Sequence, residues 1–325
     1  MQRLLILALL PLSVACLAYE PPRMPDGKPS LQGTWSNASI TRLQRGREHS
    51  KLIISAEELQ ELTNAHPQVV RQRTDDHLNH ADGLLDGSDL NRGRGYNAFW
   101  IDPGKEYGLV KGTRRSSWIV DPPDGRIPFK DRAREADFSE GDERAIAAGP
   151  EARSLGERCI IGFGGTGGPP MLNTLYNNTY QIVQTPEYVM ILVEMVHDAR
   201  IVPIKGKSNF DFTVPRWLGN SVGWWDGDTL VVETTNWHPE QASRGPVNMS
   251  TTGKVTERFT RYSDEQIFYQ FTVEDSEYYT QPWQGEMSFN AIEGQVYEYS
   301  CHEGNLGLIG ILQGAREKER AVTSQ

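Results

Sequence analysis

Glu194, His197, Asp198 and Arg200 sit close together in a run that is otherwise apolar, YNNTYQIVQTPEYVMILVEMVHDARIVP, from Tyr176 to Pro203. A charge buried without a partner costs on the order of several kcal/mol. The segment must therefore line a polar cavity or carry a structural ion-pair network. His197 has the ordinary pKa of a proton-transfer group near neutrality, which suits general acid/base chemistry. The same ring could serve structure by bonding a neighbouring carbonyl or carboxylate. Read as one strand, parity puts Val189, Ile191, Val193, Met195 and His197 on one face. Tyr188, Met190, Leu192, Glu194, Asp198 and Arg200 then fall on the other. Only one of these sets can face a lumen unless the strand carries a bulge.

A second cluster follows in Cys301-His302-Glu303-Gly304-Asn305, where His302 and Asn305 stand just past a strand end. Strand-end loops carry function more often than strand middles do. Glu233 in VVETTNW, Glu257, Arg258 and Arg261 in ERFTR, and Glu298 in YEYS add charges to apolar or aromatic runs. With Trp224, Trp225, Trp237 and Trp283 they are compatible with a pocket that stacks a ring and hydrogen-bonds its substituents. The expected catalytic set is His197 and His302 as acid and base. Glu194 or Glu233 would orient a histidine or take a proton, and Arg200 or Arg258 would stabilise developing negative charge. Asn177, Asn178, Asp198, Trp225, Trp237 and Asn305 are the expected ligand contacts.

No cofactor or metal is expected. The glycine loop GFGGTGGPP (162–170) lacks the lysine and following Ser or Thr of a P-loop and does not fit a GxGxxG turn that opens a helix. HExxH and GxSxG are absent. His77 and His80 with Asp75, Asp76 and Asp82 have a possible ligand spacing, but they lie among glycines and asparagines and read as a solvated loop. A net charge of −10 argues against nucleic acid, whose affinity comes from Lys and Arg on phosphates.

The first 18 residues, MQRLLILALLPLSVACLA, have the charged start, short apolar stretch and small-residue end of a signal peptide. The apolar stretch is too short to span a bilayer. The expected location is periplasmic or secreted, with a lipid anchor on Cys16 as an alternative. Cleavage after Ala18 leaves Cys159 and Cys301, an even pair that reads as a disulfide in an oxidising compartment.

The rest of the chain supplies the scaffold. Residues 20–36 form a Pro- and Gly-bearing arm anchored by Leu31 and Trp35, and Ser55-Ala56-Glu57-Glu58 is a capping box that opens a helix ending before Pro67. Residues 74–98 read as loop, and 130–153 as an exposed helix. Ser117 to Val120 is a short strand. Beyond Tyr176 apolar runs at 228–235, 254–261, 266–274 and 296–301 alternate with turns, the pattern of antiparallel hairpins. The fold class expected is mainly β: an antiparallel lipocalin-like barrel or sandwich (118–325) under an N-terminal helical and irregular cover (19–117).

DGKPSLQGTW (26–35), DPPDGRIP (121–128), YNN (176–178), EMVHDARIVP (194–203), DGDTLVVETTNW (226–237), ERFTR (257–261) and CHEGN (301–305) resemble the motifs of a large group of exported bacterial proteins. The resemblance spans nearly the whole mature chain and implies a bacterial, exported protein. It implies no activity. From the residues, two functions are expected: a cofactor-independent lyase, isomerase or hydrolase acting on a small ring-bearing compound, or a non-catalytic barrel binding an apolar or aromatic ligand. A histidine and a carboxylate converging at a cavity would favour the enzyme.

Overall fold

The computed structural model describes residues 19–77, 103–130, 147–205, 213–240 and 246–323. The leader with Cys16, His80 and Asp82, and most of the segment read as a charged helix lie outside the described residues, as do the side chains of Asp75, Asp76 and His77.

The arm leads into β1 (Gly33–Ser36). The cover follows, with β2 (Ile53–Ile54), α1 (Ala56–Ala65), α2 (Pro67–His77), β3 (Leu109–Val110) and β4 (Thr113–Arg115). Ser55 accepts the amide of Glu58, whose carboxylate reaches back to the amide of Ser55, so the capping box forms as read. The helix does end at His66, but a second one restarts at Pro67, where a missing N–H costs nothing. After β5 (Ile119–Asp121), β6 (Thr179–Gln184), β7 (Tyr188–Val193) and β8 (Ala199–Pro203) form one meander. A second meander comprises β9 (Asn220–Asp226), β10 (Thr229–Thr235), β11 (Lys254–Arg261), β12 (Gln266–Glu274) and β13 (Trp283–Ala291), and α3 (Leu306–Thr323) ends the chain.

The strands run β8-β7-β6-β1-β13-β12-β11-β10-β9 around a nearly closed antiparallel sheet. The expected barrel is therefore present. β1 does more than anchor the arm: it pairs with β6 on one side and β13 on the other, joining the two meanders. Leu31 and Trp35 are buried as expected. Along β10, β11 and β12 the inward positions carry Leu230, Val232, Val255, Phe259, Tyr269 and Phe271, all at most 1% exposed. Rings of Tyr180, Tyr269 and Phe289 meet edge to face in the interior. The lumen is packed with side chains.

Closure comes from the edges β8 and β9, which run in the same direction. They touch through a parallel bridge between Ile204 and Gly223, and the Lys205 amide donates to the Gly223 carbonyl at 2.7 Å. A Cβ at Gly223 would stand 3.0 Å from Val202 Cγ1, so glycine permits this close approach. Towards Ala199 and Asn220 the edges part, leaving a seam.

Two expectations need correction. Residues 296–301 form no strand, and Tyr297 is 68% exposed. An apolar run with no sheet edge to join stays irregular. Beyond this run the chain is helical from Leu306, with Asn305 accepting the Leu308 amide at the helix start. Most important, the run through His197 is not one strand. β7 ends at Val193, a 3-10 turn covers Met195–His197, and the Val193 amide donates to the Asp198 carbonyl at 2.8 Å. Val196 takes the left-handed conformation (φ 60°), rare for a β-branched residue, to make this reversal.

The cover has its own small core of Ile40, Ile54, Val69 and Tyr107. His49 and His66 both meet the Tyr107 ring edge-on. The Tyr107 hydroxyl lies 3.2 Å from His49 Nε2, and His66 Nδ1 accepts the Gln68 amide. Burial pulls both histidines below the ordinary value of 6.5; the Glu48 carboxylate opposes this, and Arg42 adds to it. Between the lowered folded values and 6.5 the unfolded chain binds more protons, so stability rises with pH across that window. The contribution is complete above 6.5 and declines as the pH falls through the folded values. The unfolding midpoint should thus drop between pH 7.5 and pH 5 by more in the wild type than in a His49→Gln/His66→Gln variant. Equal drops would show that these rings do not report on the cover's stability.

Candidate functional site

The turn at Val196 resets strand parity and thereby places Arg200. In a continuous strand Ile191 and Arg200 would face opposite ways; in the hairpin they are direct cross-strand partners on the inner face. On the far side of the seam, Glu257 alternates with Val255 and Phe259 and also points inward. The two side chains, 2% and 0% exposed, meet across the interior as a bidentate pair at 3.1 and 2.5 Å. The Tyr269 hydroxyl donates to Glu257 at 2.8 Å and accepts the Met171 amide at 2.9 Å.

Burial, and then the neighbouring Glu257 charge, push Tyr269 well above its ordinary value, so it remains a donor. Burial acts to lower Arg200, but the Glu257 charge and hydrogen bonds outweigh it and raise it. The pair links the β8 edge of one meander to β11 of the other. One donor is left over: Arg200 Nε is buried and makes no hydrogen bond.

Beside this network the parted edges leave a cavity of about 160 Å³, lined by Ala199, Arg200, Ile201, Arg216, Leu218, Gly219, Asn220 and Ser221. Gly219 (φ 67°) turns the chain into β9, and its Cα packs so close to Thr234 that a Cβ would lie 2.6 Å from Cγ2. Asn220 donates to the Val214 carbonyl at 2.9 Å, and Ser221 shares a 2.7 Å hydrogen bond with Thr234. Both polar side chains are thus held by the protein. Trp217 and His238 stack with ring centroids 3.9 Å apart on the segment that carries Arg216 and Leu218. Asp198 lies near the mouth, its Oδ2 3.8 Å from where a Cβ on Gly167 would be, in the glycine loop that also meets Leu218.

Among the described residues expected to act together, only Arg200 lines the cavity. Glu194 is buried at the start of the 3-10 turn. The His197 side chain lies outside the described residues. Glu233 and Arg258 point to the outer face, Arg258 bonding Asp226 at 2.8 Å. His302 is exposed in the turn after Cys301.

The expected ligand contacts are likewise spread out. Asn178 exchanges hydrogen bonds with Thr174 in the turn before β6, where Asn177 adopts φ 54°. Trp225 stands at the opposite end of β9 with Lys28 over its ring. Trp237 is fully buried and donates to the Gly253 carbonyl at 2.9 Å. Asn305 caps α3 and donates to the Glu157 carbonyl at 2.7 Å. Cys159 and Cys301 are joined as a disulfide, as expected.

Arg216, Leu218, Asn220 and Ser221 carry no sequence signal beyond the Gly219 turn, and Glu257 shows one only through strand parity. Among the described residues no cluster of three or more His, Cys, Asp or Glu could hold a metal ion, and no helix is long and apolar enough to cross a membrane. Fold and site together define an antiparallel barrel-like protein with a packed lumen and a polar cavity at its seam. Comparison with protein-family models, curated proteins and solved structures finds no match, so the functional reading rests on these residues and their geometry.

Proposed function

We propose that this is an exported, non-catalytic binding protein that holds a small molecule in the β8/β9 seam. The observation carrying this reading is the cavity itself, walled by Leu218 and Ile201 and furnished with Arg200, Arg216, Asn220 and Ser221. An apolar wall with a few convergent polar groups is the usual make-up of a ligand site. A cavity of about 150 Å³ suffices for a benzene ring, so the ligand is a single small ring or its equivalent. The barrel interior is a poor alternative site, because its aromatic side chains already fill it. An acid/base enzyme would call for a histidine and a carboxylate at the cavity, and the described lining supplies guanidinium, amide and hydroxyl groups instead. Export is supported by the Cys159–Cys301 bridge, which persists in oxidising compartments.

The test is thermal unfolding of the mature protein against a panel of single-ring compounds, repeated with Ala199→Phe, which narrows the cavity from an exposed position. A ligand present at about 100 times its Kd should stabilise the native state by ~2.7 kcal/mol. That gain should vanish in the variant, with the compound recovered unchanged. Chemical conversion of the compound would instead make the protein an enzyme. Equal stabilisation of both proteins would move the site elsewhere.

A further inference from the structure

We infer that the seam ligand carries a secondary amide, a trans peptide-like unit on a compact body; this inference rests on the seam-binding reading above. It follows from the backbone groups that the parted edges turn towards the cavity. Along a strand, the N–H and C=O groups of successive residues point to alternate sides. At β8 the even-numbered residues address β7: Ile204 donates to the Glu187 carbonyl at 2.8 Å, and the Asp198 carbonyl accepts from Val193. The odd-numbered residues address β9, as Lys205 does in donating to Gly223. The N–H of Ile201 therefore points into the seam. On β9 the bridge at Gly223 sets the same parity, so the C=O of Ser221 points towards β8. Both residues line the cavity.

These two groups are left over for a reason written in the sequence. To continue the parallel ladder past the Ile204–Gly223 bridge, the amide of residue 203 would have to donate to the Ser221 carbonyl. That residue is Pro203. It has no N–H, and its ring carbon stands where the amide hydrogen would be, so the carbonyl loses its donor and the edges are held apart. One step further, the Ile201 amide would donate to the Gly219 carbonyl, and that bond is not made. Among the described residues neither group has another hydrogen-bond partner on the seam side.

The side chains of Arg200, Asn220 and Ser221 are already engaged by Glu257, the Val214 carbonyl and Thr234. Selection at the seam thus falls to the backbone: an unpaired donor on one wall and an unpaired acceptor on the other. A trans secondary amide offers C=O and N–H on opposite sides and bridges the gap as the backbone of an intervening strand would. Ile201 and Leu218 supply apolar wall for its body. An ester lacks the donor and sets oxygen against the Ser221 carbonyl. A carboxylate brings acceptors only, and a hydrocarbon leaves both groups unsatisfied.

The test is calorimetric titration of the mature protein with N-methylbenzamide, methyl benzoate and benzoate, repeated with Pro203→Ala and Ala199→Phe. Methyl benzoate matches N-methylbenzamide in shape but has no N–H, so the amide should bind about tenfold or more tighter. Benzoate should fall below the amide as well. Pro203→Ala gives the protein its own donor for the Ser221 carbonyl. It should cut the amide's margin over the ester to about twofold or less. Ala199→Phe should weaken every compound that binds. If the ester or benzoate equals or exceeds the amide while Ala199→Phe weakens binding, the ligand class is wrong and the seam remains the site. A margin unchanged by Pro203→Ala has the same meaning, since the Ser221 carbonyl is then not what the amide meets. If none of the three binds, or if Ala199→Phe leaves binding untouched, the seam reading and the inference built on it both fail.

Discussion

Glu257→Gln should destabilise this protein by about 3–5 kcal/mol, a large share of the ~5–15 kcal/mol available to a folded domain. Glutamine keeps the shape of the side chain but leaves the buried Arg200 guanidinium without its carboxylate partner. One partner's removal costs more than the pair contributes, because the cost is that of an unpaired buried charge. The double variant Arg200→Met/Glu257→Leu should therefore be more stable than Glu257→Gln and come within about 1–2 kcal/mol of the wild type, since well-packed apolar replacements of buried ion pairs are often neutral. Denaturant unfolding of the three proteins measures this. A Glu257→Gln variant within about 1 kcal/mol of wild type would mean that water reaches Arg200. It would also mean that the pair does not tie the two meanders together.

The contrast between Arg200 and its partner shows how far the sequence can be read. β11 and β12 fall at 254–261 and 266–274 with the bounds their alternation predicts, because a half-buried strand writes its period directly into residue type. In KVTERFTR that period assigns Glu257 to the face of Val255 and Phe259, and Arg258 to solvent. Reading the charges as a group hides this. The reversal at Val196 could not be read in the same way. LVEMVHDA has no glycine, proline or asparagine to announce a turn, and a valine in the left-handed region is an improbable way to make one. Parity carried through that point put Arg200 on the wrong face relative to Ile191.

The cavity was beyond local reading for another reason. It exists because β8 and β9, consecutive in sequence, run parallel and are bridged at Ile204 and Gly223. Which strands become the edges of a nearly closed sheet follows from the whole topology, including the insertion of β1 between β6 and β13. Arg216 to Ser221 thus become a wall by position alone. The tryptophans err in the opposite direction: they suggested a stacking platform, yet Trp237 and Trp283 are core, as large aromatics in a packed barrel usually are.

Removing the disulfide, in a Cys159→Ser/Cys301→Ser variant, should lower stability by about 2–5 kcal/mol. The bridge sits at the periphery, between the loop before the glycine run and the approach to α3, and by contacts alone it would be expected to matter little. Its effect comes from the chain it encloses. Its ends lie 142 positions apart in sequence, and the loop contains β6 to β13, every strand of the barrel path except β1. When the barrel unfolds with the bridge intact, the released chain is still a ring and gains less entropy, which on the chain-entropy account is worth ~5 kcal/mol for a loop of this length. A second, local consequence follows. α3 leaves Leu306 and Ile309 exposed and is held near the barrel by the Asn305 bond to Glu157 and the Arg316 bonds to Ala147 and Ala148. Without the bridge, limited proteolysis should cut at the start of α3 before the barrel melts. If the variant loses α3 to protease but keeps the wild-type midpoint, the bridge fastens only the helix, and the entropy of the enclosed strands is not limited by it.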